Sequence, residues 1–130
     1  PGRLELMSGI AERRFWPAGT RPSGPASEVG RAALERAGVA AGEVDLLIHA
    51  SVCRDFLEPA TASVVHHALG LADRAVAFDL SNACLGFANA LMMAGAQVDS
   101  GAIDVALVVA CEDGRPLVEE TIRALLASPT

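Results

Sequence analysis

The run DVALVVA, Asp104 to Ala110, leaves a strand almost no polar side chain to turn toward water. A strand of this kind is stable only when both faces are covered, as in a parallel sheet flanked by helices. VDLLIHA, Val44 to Ala50, has the same character, and AVAFDL sets Val76, Phe78 and Leu80 on one face. Helical patterns separate these runs. Ala26 to Ala37 places Val29, Ala33 and Ala37 among Arg31, Glu35 and Arg36 and stops at Gly38, with Ser23 or Ser27 to cap it. PATASVVHHALG opens on Pro59, which suits a first helical turn, and stops at Gly70. Cys84 to about Ser100 is apolar on nearly every side, which predicts a helix buried by neighbours all round. Pro116 to Ala127 aligns Val118, Ile122 and Leu125. Helices alternating with strands predict right-handed crossovers and an α/β fold with a mainly parallel, layered sheet. Three strands with open edges are few for that class, so further strands are expected from elsewhere.

Residues 1–25 are rich in proline and glycine, as in PAGTRPSGP, and are expected to form surface loop; residues 26–130 are expected to hold the α/β core of a single domain over 1–130. A chain of 130 residues, 52% hydrophobic and 20% charged, can bury a core without a disulfide or a metal. A net charge of −6 with no run of Lys or Arg argues against nucleic acid and anionic membranes as partners. The uncharged stretch from Leu80 to Val98 contains Ser81, Asn82, Asn89 and Gln97, and is expected to be strand end, turn and helix rather than a membrane span. The opening PGRLELMSGI lacks the pattern of a secretory signal, so a cytoplasmic location is expected. Cys53, Cys84 and Cys111 show neither CxxC pairing nor histidine spacing suited to zinc, so reduced thiols and no metal are expected.

The segment FDLSNACLGFANALMMAGA puts Cys84 just after a strand and in the first turn of an apolar helix. Unpaired N–H groups and the positive end of the helix dipole favour an anion at such a place, which suits a thiolate attacking a thioester carbonyl. The same N–H groups can hold an oxyanion, and Gly86 would let backbone approach a substrate closely. By spacing alone an inert packing cysteine is an equal alternative.

The stretches SVCRDFLEPATASVVHHALGL, FDLSNACLGFANAL and SGAIDVALVVACEDGRPLVEETI, with a looser match at SGIAERRFW, resemble ketoacyl synthase III enzymes of the thiolase superfamily. The resemblance is greatest to the OleA type, which joins two long acyl chains head to head, and it covers nearly the whole chain. NACLGF matches the family's nucleophile motif, and LEPATA is more particular to the OleA group. The resemblance implies a thiolase fold, in which two βαβαβαββ halves make a subunit and two subunits make a dimer. It implies that Cys84 is acylated, and that Glu58 reaches the partner subunit's active site as a base on the second substrate. A carboxylate held close to the substrate suits that proton transfer. An acid stabilising the start of the Pro59 helix is the alternative for Glu58.

The histidine and asparagine that the family draws from its second half have no counterpart here, nor has its usual first strand. A carboxy-terminal half or second chain is expected to supply them, and the chain alone is expected neither to fold well nor to condense substrates. His49, His66 and His67 lie outside the family's histidine motif and are expected to be satisfied or solvent-facing. Cys53 and Cys111 are expected to pack. Arg13, Arg14 and Trp16 are candidates for the mouth that takes a coenzyme A nucleotide, with a solvated loop as the alternative. Met7 stands where short-chain relatives carry arginine, which argues against acetyl loading. Met92 and Met93 are expected to be core filler. The expected activity is an acyltransferase forming a 3-keto product from acyl-CoA or acyl carrier protein thioesters, with no cofactor. The alternatives are a non-catalytic subunit pairing with a full ketosynthase, and an acyltransferase that forms no carbon–carbon bond.

Overall fold

The computed structural model describes residues 2–127. Thr20–Glu112 form one compact unit, and the described residues before and after it form a second. In the larger unit the order is α2 (Ser23–Ala37), β1 (Leu46–Ala50), α3 (Thr61–Leu69), β2 (Val76–Leu80), α4 (Gly86–Asp99) and β3 (Ala106–Val109). The smaller unit contributes α1 (Arg3–Ser8) and α5 (Arg115–Ala127). α2 starts inside the stretch expected as loop, with Pro22, Ser23 and Pro25 buried around its first turn. The expected loop also contains α1, a six-residue helix between Gly2 and Gly9, both at positive φ. Leu6 and Met7 on α1 are exposed, as are Val118, Ile122 and Leu125 on α5.

The sheet has three parallel strands in the order β2-β1-β3. All five residues of β1 are buried, as its near-continuous apolar run requires. From β1 the chain crosses to β2 through α3, then returns past β1 to β3 through α4. The reversal puts α4 on the opposite face from α3, as crossovers of one hand demand. Leu47, Leu107 and Val109 meet α2 and α3 residues such as Ala26, Leu34 and Val65 on one face. Gly30 of α2 comes close enough to Val109 and Leu69 that a methyl there would be crowded at 3.1–3.3 Å. On the other face Leu46, Ile48 and Ala50 meet Ala90 and Ala94 of α4.

Two boundaries and one burial pattern differ from the sequence expectations. α3 begins at Thr61 rather than Pro59, because the amides of its first turn are bound by a carboxylate from β2. α2 begins at Ser23, whose carbonyl accepts the Ser27 hydroxyl at 2.7 Å, so neither serine is a simple cap. α4 is not buried all round: only Gly86, Ala90 and Ala94 are covered, while Phe87, Leu91, Met92, Met93 and Val98 are exposed. Small residues at a four-residue spacing let the helix lie close on the sheet, and its large side chains point elsewhere. Met92 and Met93 are thus not core filler within this chain.

Candidate active site

Parallel strands deliver all their carboxyl ends to one edge of the sheet, which is where open α/β sheets place ligands. The segments leaving β1, β2 and β3 there carry Cys53 with Glu58, Cys84, and Cys111 with Glu112.

Between β2 and α4 the chain makes a 3₁₀ turn over Ala83–Leu85. Ala83 has φ 44°, the only left-handed non-glycine residue among the described residues. That conformation costs an L-residue about 1–2 kcal/mol and persists only where surrounding bonds impose it. Here the Asn82 side-chain amide donates to Asn89 Oδ1 at 2.6 Å, the Leu85 N–H to the Asn82 carbonyl at 2.9 Å, and the Gly86 N–H to the Ala83 carbonyl. The turn leaves Cys84 exposed at the head of a 14-residue helix. Gly86 itself is buried. A methyl on it would stand 3.8 Å from the Leu80 carbonyl and 3.9 Å from that of Ala50, so its bare face approaches the strand ends rather than open space.

Glu58 lies in the segment between β1 and α3, which polar side chains hold at both ends. Glu112 accepts the Val52 N–H at 2.7 Å and the Cys53 N–H at 3.2 Å. Burial alone would raise the Glu112 carboxyl, but the Cys53 thiol and these two amides hold it below its usual value. The Asp55 N–H donates to Thr61 Oγ1 at 3.0 Å, and the Asp55 carboxylate accepts the Ser23 N–H and hydroxyl at 2.9 and 2.5 Å. Asp79 of β2 accepts the Thr61 and Ala62 N–H groups at 2.8 and 2.7 Å. Between these anchors Phe56, Leu57, Glu58 and Pro59 are exposed, with Arg21 over the Phe56 ring at 4.7 Å. Asp79 thus binds the first amides of α3, while Glu58 stands exposed three residues before that helix.

His49 is 0% exposed, and no side-chain hydrogen bond of regular geometry reaches its ring nitrogens. Of the two expected states, the solvent-facing one fails, and the nearest polar partner of the ring is a carboxylate. Its Nδ1 lies 3.5 Å from Asp79 Oδ1 on the adjacent strand. Burial keeps the imidazole pKa below its usual value, against the nearby charges of Asp79, Asp55 and Glu112. His66 meets the Ala72 carbonyl at 3.1 Å and His67 is exposed, as expected of both. Cys111 packs in the core, and its N–H donates to Ser51 Oγ at 2.8 Å. Arg13, Arg14 and Trp16 belong to the smaller unit and are exposed. There Arg115 stacks over Phe15 at 5.2 Å and donates to the Trp16 carbonyl at 2.9 Å.

The thiolase N-terminal domain family matches residues 20–114. The chain belongs to this family. It is 37% identical over 129 residues to the acyl-CoA:acyl-CoA alkyltransferase of Shewanella oneidensis, covering 99% of this chain and 37% of that protein. It is 42% identical over 109 residues to beta-ketoacyl-(acyl-carrier-protein) synthase III of Roseiflexus sp., covering 84% of this chain and 33% of that protein. Among solved structures, Xanthomonas campestris OleA with bound lauric acid and lauroyl-CoA superposes with a TM-score of 0.90 at 37% identity, over 98% of this chain and 38% of that one. The thiolase-like fold and the OleA-type resemblance expected from NACLGF and LEPATA therefore hold. The chain spans between 33% and 38% of the length of these relatives. Among its described residues no helix is long and apolar enough to cross a membrane.

Proposed function

We propose that this thiolase-family chain carries the nucleophile of an acyl-thioester condensing enzyme of the OleA type. The observation that carries the proposal is the strained turn at Ala83, which presents an exposed Cys84 where β2 gives way to α4. Relatives named as an acyl-CoA:acyl-CoA alkyltransferase and as a ketoacyl synthase III support it.

In the proposed reaction the Cys84 thiolate attacks the carbonyl of an acyl-CoA, and the coenzyme A thiolate leaves as the acyl group passes to sulfur. A base removes a proton from the α-carbon of a second acyl thioester. The resulting carbanion attacks the carbonyl on Cys84, a 3-keto product forms, and the cysteine sulfur departs. Two thioester displacements replace one difficult condensation. Glu58 serves as the base, entering the partner subunit's site in a homodimer of complete subunits. Amides at the head of α4 stabilise the oxyanion. Arg13, Arg14 and Trp16 bind the coenzyme A or acyl carrier protein thioester. A carboxy-terminal half or second chain supplies the catalytic histidine and asparagine and covers Phe87, Leu91 and Met92 on the outer side of α4. Without it the chain condenses nothing.

Denaturing mass spectrometry before and after exposure to a long-chain acyl-CoA tests the assignment. The expected result is an acyl adduct localised to Cys84 and lost in Cys84→Ala. Absence of an adduct in the assembled enzyme would sink the nucleophile and leave a non-catalytic subunit. An adduct transferred to an acceptor without a 3-keto product would instead indicate a simple acyltransferase.

A further inference from the structure

We infer that Asp79 is a positioning residue for the condensation step: it fastens the segment bearing Glu58 to the strand that leads to Cys84. The inference rests on the role proposed for Glu58.

Asp79 is the one acid in a strand that otherwise reads Val-Ala-Phe-Leu, and its side chain is 6% exposed. Each of its oxygens is committed. Oδ2 accepts the Thr61 N–H and Oδ1 accepts the Ala62 N–H, so the carboxylate grips the first turn of α3 with both atoms. On the neighbouring strand His49 stands beside it in register, with Nδ1 3.5 Å from Oδ1. A carboxylate bound to two backbone amides is stronger and more directional than a neutral contact. It stops α3 from sliding along the sheet, and α3 begins three residues after Glu58. From within the segment, the Asp55 N–H to Thr61 Oγ1 bond ties the far side of the same loop to the same residue. The tip at Leu57–Pro59 is thereby carried on a fixed base. In a two-fold dimer, the offset between this base and the sheet also sets where Glu58 meets the partner subunit's Cys84.

The nucleophile turn is fixed by other bonds. Asn82 with Asn89, and Leu85 with Asn82, hold it without help from Asp79. Loosening Asp79 should therefore misplace Glu58 while Cys84 remains aimed. Displacements of about 1 Å away from the chemistry can lower a rate on the order of a hundredfold.

The test uses the assembled enzyme and measures two steps separately: acylation of Cys84 by a long-chain acyl-CoA, and release of 3-keto product. Asp79→Asn keeps the side-chain size but leaves one oxygen for two amides. Acylation should stay within about threefold of the parent, while condensation falls by at least roughly tenfold. Thr61→Val cuts only the Asp55 tie and should lower condensation selectively by a smaller factor, which decides the matter if Asp79→Asn does not fold. Leu34→Ala, a core truncation in α2, reports what lost stability alone does to the two steps. Glu58→Gln is measured beside them. If it abolishes condensation while the Asp79 and Thr61 variants slow both steps equally, or neither, the positioning role is overturned and Glu58 stands. If Glu58→Gln condenses normally, the base assignment fails and the positioning role fails with it.

Discussion

Under α2 and α3 the sheet buries Leu47, Val65, Leu71, Leu107 and Val109, and the carboxylates of Asp55 and Asp79 tie the starts of α2 and α3 to the β1–α3 segment and to β2. Under α4 it meets only Gly86, Ala90 and Ala94, and the helix turns Phe87, Leu91 and Met92 away, with Met92 72% exposed. One face is covered by helices of this chain, and the other leaves large apolar side chains of α4 exposed. Large apolar side chains clustered on one helix are what the proposed second half or chain would cover. The contrast also separates tasks: polar ties fix the frame on the closed face, while the thiol sits where the open face begins.

Core truncation is the largest way to break that contrast. Leu47→Ala removes a fully buried side chain and should cost about 2–5 kcal/mol in denaturant unfolding. Leu91→Ala, at a position 51% exposed, should change the stability of the chain by itself by less than about 0.5 kcal/mol. In the assembled enzyme the Leu91 cost should rise toward that of Leu47, because the side chain is then covered. Equal costs in the chain by itself would mean that α4 is already packed, and an unchanged Leu91 cost after assembly would mean that its outer side faces solvent.

The closed face should also be the acid-sensitive one, through His49. Its folded pKa is lowered, so below the ordinary value of 6.5 the unfolded chain binds a proton that the folded chain refuses. Stability is therefore lost as pH falls. The other shifted groups, Asp45 and Glu112, are carboxylates that lose their stabilising charge only below their ordinary values of 3.8 and 4.5. Between pH 6.5 and 4.5 the slope should thus belong to His49, at up to about 1.4 kcal/mol per pH unit. Unfolding midpoints across this window should slope in the parent and flatten in His49→Leu. A parent without slope, or a variant that keeps it, would place the titration elsewhere.

How much of this was legible in sequence depended on whether the cause was local. DVALVVA and VDLLIHA announced buried parallel strands because composition alone dictates their environment. Gly38 and Gly70 announced helix ends because their left-handed φ is a property of one residue. NACLGF located the candidate nucleophile by resemblance. The start of α3 was misplaced because its amides are bound by Asp79, eighteen positions away, and Pro59 offered a plausible local substitute. The only clue was an acid inside AVAFDL, where an apolar residue would have served a strand better. His49 shows the same limit: a histidine in an apolar strand signals burial but says nothing about whether its nitrogens find partners. For α4, an apolar circumference predicts neighbours without revealing whether they belong to the same chain.

The smallest effect has the most informative sign, and it comes from Ala83. In the interior of α2 an Ala33→Gly change should cost about 0.5–1 kcal/mol, because glycine gives up more backbone freedom on folding. At Ala83 the φ of 44° already suits glycine better than alanine, so Ala83→Gly should stabilise by about 0.5 kcal/mol despite that entropy. Paired urea titrations of the two variants would show opposite shifts if the turn is strained as drawn. Alanine's methyl also restricts the motions open to the turn, and glycine would remove that restriction beside Cys84. A variant that becomes more stable yet acylates more slowly would show that the strain serves to aim the thiol. A variant that becomes more stable and acylates at the parent rate would confine the strain to geometry alone, leaving the Asn82–Asn89 bond to orient Cys84.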